Sequence, residues 1–249
     1  MDFAFLHGGG QGSWVWDETI AALELQTGQA QSGTAHRFLA LDAPGCGVKR
    51  DRDTADIAFE EIAAELVAEI EAAGMNTVIM VGHSQAGMTI PPMAELRPGL
   101  FRKLVYLSCS APPQGQTTIE AMGHGLHGAH PDEVGWPVDP ATTTMEQRFR
   151  AMFCNDMGEA AADAFLARLG EDMWPPCCYT RRDWRFDHLR AIPSTYIFCH
   201  QDTSLPPAWQ ERFAAQLHCE RTVCLDAGHQ AMNTRPHGLA EILLAEANS

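Results

Sequence analysis

The chain has 249 residues, 45% hydrophobic and 20% charged, a balance that suits one globular α/β domain with a sizeable core. Its 32 acidic side chains outnumber 17 Lys and Arg, and the formal net charge of -15 excludes nucleic acid and anionic membrane surfaces as expected partners. No apolar run reaches the roughly 18 residues of a transmembrane helix. The opening MDFAFLHGGG has no basic n-region, so no secretory leader and a cytoplasmic location are expected.

In chain order, six short apolar, β-rich runs are predicted as strands: Asp2–Leu6, His36–Leu41, Thr77–Val81, Lys103–Ser108, Thr195–Cys199 and Arg221–Leu225. Most are nearly continuous in apolar character, as in a parallel sheet covered on both faces. Helical stretches lie between them. Phe59–Ala72 (FEEIAAELVAEIEA) has apolar residues at helical spacing and is followed by Gly74, suited to a left-handed C-terminal cap. This alternation predicts an α/β class: a mainly parallel sheet of about six strands flanked by helices.

Residues 112–187 break the pattern. They contain no strand-like run, two Gly- and Pro-rich pieces (PPQGQ and GHGLHGAHPDEVGWP) and two helix-like pieces, Thr144–Phe153 and Glu159–Leu169. A mostly helical lid (112–187), inserted before the last two strands of a core made of residues 1–111 and 188–249, is expected over the sheet's C-terminal edge. Its Trp136, Phe149, Phe153 and Trp174 are candidate pocket residues. Met145 and Met152 have the same character, although many such side chains simply attach a lid to its body.

The chemistry centres on VIMVGHSQAG. A strand runs into Gly82 and a sharp turn that holds Ser84, with small residues Ala86 and Gly87 where strand and helix must approach closely. A serine hydroxyl is a weak nucleophile until a base takes its proton. The candidate base is His229, in LDAGHQAMN after the last predicted strand, and the candidate orienting acid is Asp202, after the fifth. Asp226 lies too near His229 along the chain, and Asp187 precedes its strand. The order Ser84, Asp202, His229 is that of an α/β-hydrolase triad. After the first strand, HGGGQG lets backbone amides approach a substrate oxygen, so the amides of Gly9 and Gln85 are the expected oxyanion-hole donors. The same glycines do not fit the phosphate-loop or dinucleotide patterns.

Eight cysteines without paired C-x-x-C spacing predict no zinc site. His124, His127 and His130 are spaced by three, but they lie in a glycine-rich stretch without a matching carboxylate pair, and no metal is assigned to them. No organic cofactor is implied. The sequence does not specify an oligomeric state.

HGGGQGSWVWD, GHSQAG, HQD and AGH together resemble the α/β-hydrolase family. The His-Gly start with W-x-W is similar to its plant methyl esterase and hydroxynitrile lyase branch. The resemblance implies nucleophile Ser84, acid Asp202, base His229 and oxyanion amides at Gly9 and Gln85. Lyases of that branch carry Thr after the first-strand His and Lys after the catalytic His; here these are Gly8 and Gln230, which favours the esterase side. The implied function is hydrolysis of a small carboxylic ester through an acyl-enzyme, with a lactonase using the same triad as an alternative. A C–C bond hydrolase with the same triad and a low-turnover small-molecule receptor stand as alternatives.

Overall fold

A computed structural model describes residues 1–29 and 36–248. Strands β1 (Asp2–Leu6), β2 (Arg37–Leu41), β3 (Val78–His83), β4 (Phe101–Leu107), β5 (Ser194–Cys199) and β6 (Arg221–Leu225) form one parallel sheet in the order β2-β1-β3-β4-β5-β6. Its helices are α1 (Asp17–Gln29), α2 (Phe59–Ala72), α3 (Ala86–Leu96), α4 (Thr118–Met122), α5 (Met145–Phe153), α6 (Glu159–Arg168), α7 (Cys177–Thr180), α8 (Pro207–Gln216), α9 (Ala231–Thr234) and α10 (Pro236–Ala247).

The two-residue period of the strands divides the core. Ala4, Leu6, Val78, Met80, Leu104 and Tyr106 face α2, α3 and α8. Their neighbours Phe3, Phe5, Ile79, Val81, Val105 and Leu107 face α1 and α10. Both faces are therefore dry, which explains the unbroken apolar runs. β6 lies at the sheet edge and is half-exposed along its length. Its polar Arg221 and Thr222 follow from that position.

Helix α2 spans the residues that the spacing predicts, and Gly74 follows it at φ +69°. β3 runs two residues past the predicted end because Gly82 and His83 continue the ladder, opposite Tyr106 and Leu107 of β4. Thr144 is the N-cap of α5 rather than its first residue, its side chain accepting from Gln147 N. Helices α4 to α7 all lie between β4 and β5.

Strand order reverses beside β1: β2 lies on one side and β3 on the other. The crossover through α1 covers one face and that through α3 the other, so the loops after β1 and β3 diverge and leave a crevice at their C-terminal ends. The loop after β1 is the glycine run, and the turn after β3 carries Ser84. Ser84 has φ +52°, the left-handed region that non-glycine residues rarely enter. Its amide donates to Leu107 O at 3.2 Å, and its carbonyl accepts from Gly87 N at 3.1 Å and Ser110 N at 3.0 Å. The end of β4 thus clamps the turn.

The close approach falls on Gly87 rather than on Ala86. A Cβ at Gly87 would lie 2.4 Å from Ser110 O and 2.8 Å from Cys109 Cβ. All eight cysteines are free thiols, and burial pushes those of Cys46, Cys109, Cys178 and Cys199 upward. Among the described residues no helix is long and apolar enough to cross a membrane. Gly87→Ala is expected to lower stability by about 1–3 kcal/mol through this overpacking. An unchanged urea midpoint would contradict the clamp.

Candidate active site

Ser84, Asp202 and His229 come from the turn after β3, the loop after β5 and the loop after β6, all at one edge of the sheet. His229 Nδ1 is 2.7 Å from Asp202 Oδ2, and its Nε2 is 3.0 Å from Ser84 Oγ. A carboxylate can only accept, so Nδ1 carries the proton and Nε2 presents its lone pair to the serine hydroxyl. Both Asp202 and His229 are buried. The other candidate acids stand apart. Asp226 accepts from Gln201 Nε2 at 2.6 Å, and Asp187 is exposed beside His218.

Burying a carboxylate is costly unless its lone pairs are occupied. Asp202 Oδ1 accepts from the amides of Ser204 at 2.7 Å and Leu205 at 2.8 Å, while Oδ2 takes the Ser108 hydroxyl in addition to His229. Sequence reasoning missed Ser108. Its one signal is a polar side chain directly after a buried strand, at the same sheet edge as Ser84. His83 points away from the Ser84 hydroxyl: its Nε2–H donates to His229 O at 2.9 Å, with the two rings 4.6 Å apart.

Gly9, Ser84 and Gln85 line one cavity of about 410 Å³, within the size range of small-molecule sites. Among the described residues, neither the Gly9 nor the Gln85 amide donates to a backbone acceptor. Trp136, Phe149 and Phe153 line the cavity, and Phe153 also lies 5.5 Å from the His229 ring. Trp174 does not line it. This side chain is buried behind the glycine loop, where its Nε1–H donates to Gly8 O at 3.0 Å. Met122, Met152, Leu169, Tyr179 and Leu205 complete much of the wall. Burial pushes the Tyr179 phenol up to about 12.

The three spaced histidines separate. His124 lines the cavity and His130 is exposed, while His127 bridges the carbonyls of Val134 at 2.6 Å and Thr203 at 2.9 Å. Among the described residues no cluster of His, Cys, Asp or Glu is arranged to hold a metal ion. The corner between α5 and α6 is bonded to the loops after β5 and β6. Asn155 Nδ2 donates to Gln201 O at 2.6 Å, next to Asp202, and Asp156 Oδ2 accepts from Gly228 N at 2.8 Å, next to His229.

The chain belongs to the α/β hydrolase family, whose model matches residues 3–242. It is 29% identical over 125 residues to the carbendazim hydrolyzing esterase of Nocardioides sp., an alignment covering 50% of this chain and 48% of that one. The chain thus spans about half the length of that relative. It is 21% identical over 261 residues to polyneuridine aldehyde esterase of the plant Rauvolfia serpentina, covering 99% and 96%. Its fold matches that of an extracellular α/β-hydrolase from a Paenibacillus species with a TM-score of 0.77 at 21% identity, covering 98% of each chain.

Two buried imidazoles give stability a pH dependence. Burial holds His7 below its ordinary value of 6.5 and His83 well below it. As pH falls through about 6.5 the unfolded chain gains these protons while the folded chain resists them, so stability is lost toward acid. The urea midpoint of the wild type is expected to fall between about pH 7 and 5, and less steeply in His83→Gln. Equal slopes in the two proteins would remove His83 as a source.

Proposed function

We propose that the protein is a serine hydrolase of small carboxylic esters, with Ser84 as nucleophile, His229 as general base and Asp202 as the acid that orients it. The observation that carries this reading is the continuous hydrogen-bond chain from Ser84 Oγ through His229 to Asp202, at 3.0 and 2.7 Å. His229 takes the Ser84 proton as Oγ attacks the ester carbonyl. The buried carboxylate keeps the imidazole in the required tautomer and stabilises the imidazolium. The Gly9 and Gln85 amides donate to the developing oxyanion, each donor being worth roughly 2.7–4 kcal/mol in catalysis. His229 then protonates the leaving alcohol, and water repeats the sequence on the acyl-enzyme.

Residues 112–187 act as the lid in this reading. They supply most of the apolar wall, which suits an ester whose acyl part is largely apolar. The relatives named as esterases support the same class. Lyase chemistry is disfavoured by space: a Cβ at Gly8 would lie 2.9 Å from Ser84 Cβ and 3.0 Å from His83 Nδ1, so a threonine there would crowd the nucleophile.

Ser84→Ala is expected to reduce turnover of p-nitrophenyl acetate by about four orders of magnitude or more, with the fold intact by circular dichroism. Wild-type turnover in that variant would end the assignment. Acyclic methyl esters are expected to be cleaved faster than lactones of similar size, and the reverse ranking would make the enzyme a lactonase.

A further inference from the structure

We propose that Trp174 is a positioning residue that aims the Gly9 N–H into the oxyanion site by holding the opposite side of the same peptide group. This rests on the serine-hydrolase reading above. Gly8 O accepts from Trp174 Nε1–H at 3.0 Å and from His7 Nδ1 at 2.8 Å. The second donor is fixed by the far side of its ring. Ala43 N–H donates to His7 Nε2 at 3.2 Å, so Nε2 is bare and the proton sits on Nδ1. Both side chains are buried, His7 at 0% and Trp174 at 1% exposure, and their rings meet edge-on at 5.4 Å.

A trans peptide group is planar, so the N–H of Gly9 points opposite to the C=O of Gly8. Two buried donors hold that carbonyl toward the interior. The amide therefore faces the other way, and Gly9 lines the cavity together with Ser84. The restraint has to come from outside because Gly8, Gly9 and Gly10 have no side chains to limit rotation of their own backbone. An oxyanion donor is effective only when its orientation is fixed before the charge develops.

Trp174 is itself held against the loop by its neighbours. Gly170 N donates to Gly10 O at 3.1 Å, and Met173 N donates to Gly45 O at 3.0 Å. Between them the buried Asp172 accepts from Gly47 N at 2.7 Å and Trp14 Nε1 at 3.1 Å, and it pairs with Arg50. Residues 170–174 thus form a strap along the glycine loop. Gly170 and Met173 of this strap also line the cavity, while Trp174 lies off it and holds Gly8 O.

Because the Trp174 N–H acts on the transition state rather than on bound substrate, its loss is expected in kcat and not in KM. In Trp174→Phe, which keeps a ring against His7, kcat for p-nitrophenyl acetate is expected to fall about tenfold with KM within about twofold. The inhibition constant of a trifluoromethyl ketone, which forms an anionic adduct with the serine, is expected to rise by the same factor. Replacing Trp174 with benzothienylalanine, which keeps the fused rings and lacks the N–H, is expected to reproduce both changes and covers the case in which the phenylalanine variant does not fold. An unchanged kcat in the folded variant, or a loss carried by KM alone, overturns the positioning role. Ser84→Ala run in parallel separates the two levels. If it is inactive while Trp174→Phe is fully active, only this proposal falls; if it retains wild-type turnover, the hydrolase reading falls and takes this proposal with it.

Discussion

The left-handed backbone at Ser84 is the constraint around which the sheet's C-terminal edge is arranged. A serine at φ +52° is unfavourable by itself, on the order of 1–3 kcal/mol. It persists because its amide and carbonyl are both committed to the end of β4 and the start of α3. Those bonds form only if β3 and β4 stay paired through Gly82 and His83, and only if nothing larger than hydrogen projects from Gly87. The turn is thus stabilised by the sheet, and its strain raises the hydroxyl clear of the strand ends. The reversal of strand order next to it opens the crevice that the hydroxyl faces.

A buried negative charge is the second demand, and it is met without a buried cation. Asp202 is surrounded by two amides, a hydroxyl and an imidazole, all uncharged donors in the resting state. A lysine or arginine there would hold the carboxylate equally well, but it would also oppose a positive charge on His229. Neutral donors leave the field of the carboxylate available to the imidazole. The large negative balance of the whole chain is carried mainly at the surface and does not enter this local arrangement.

Local periodicity made most of the scaffold legible. Asp2–Leu6, Arg221–Leu225 and Phe59–Ala72 fall where the pattern puts them, because each depends on residues within a few positions. Chain order and strand ends were also sufficient to single out Ser84, Asp202 and His229 as residues that meet at one edge. Contacts between a distant side chain and a backbone atom were not legible. Trp174 reads as one more aromatic in the insertion, whereas its position is set by a bond to Gly8 O, 166 positions away in the sequence. Asn155 and Asp156 are of the same kind, and Ser108 likewise meets a distant partner, the Asp202 carboxylate. Each is an ordinary polar residue whose partner is fixed by the tertiary fold alone, and no spacing rule reaches that far.

The buried thiols make this molecule its own opening gauge. Cys199 ends β5, Cys109 follows shortly after β4, and Cys178 lies in α7 of the segment between those strands. Burial pushes all three thiols upward and shields them, so a disulfide reagent reaches each one only when its surroundings open. Cys178 reports breathing of the inserted segment, and the other two report the sheet. The ratio of their exchange rates therefore gives the difference in opening free energy between the two regions, with no label added to the chain.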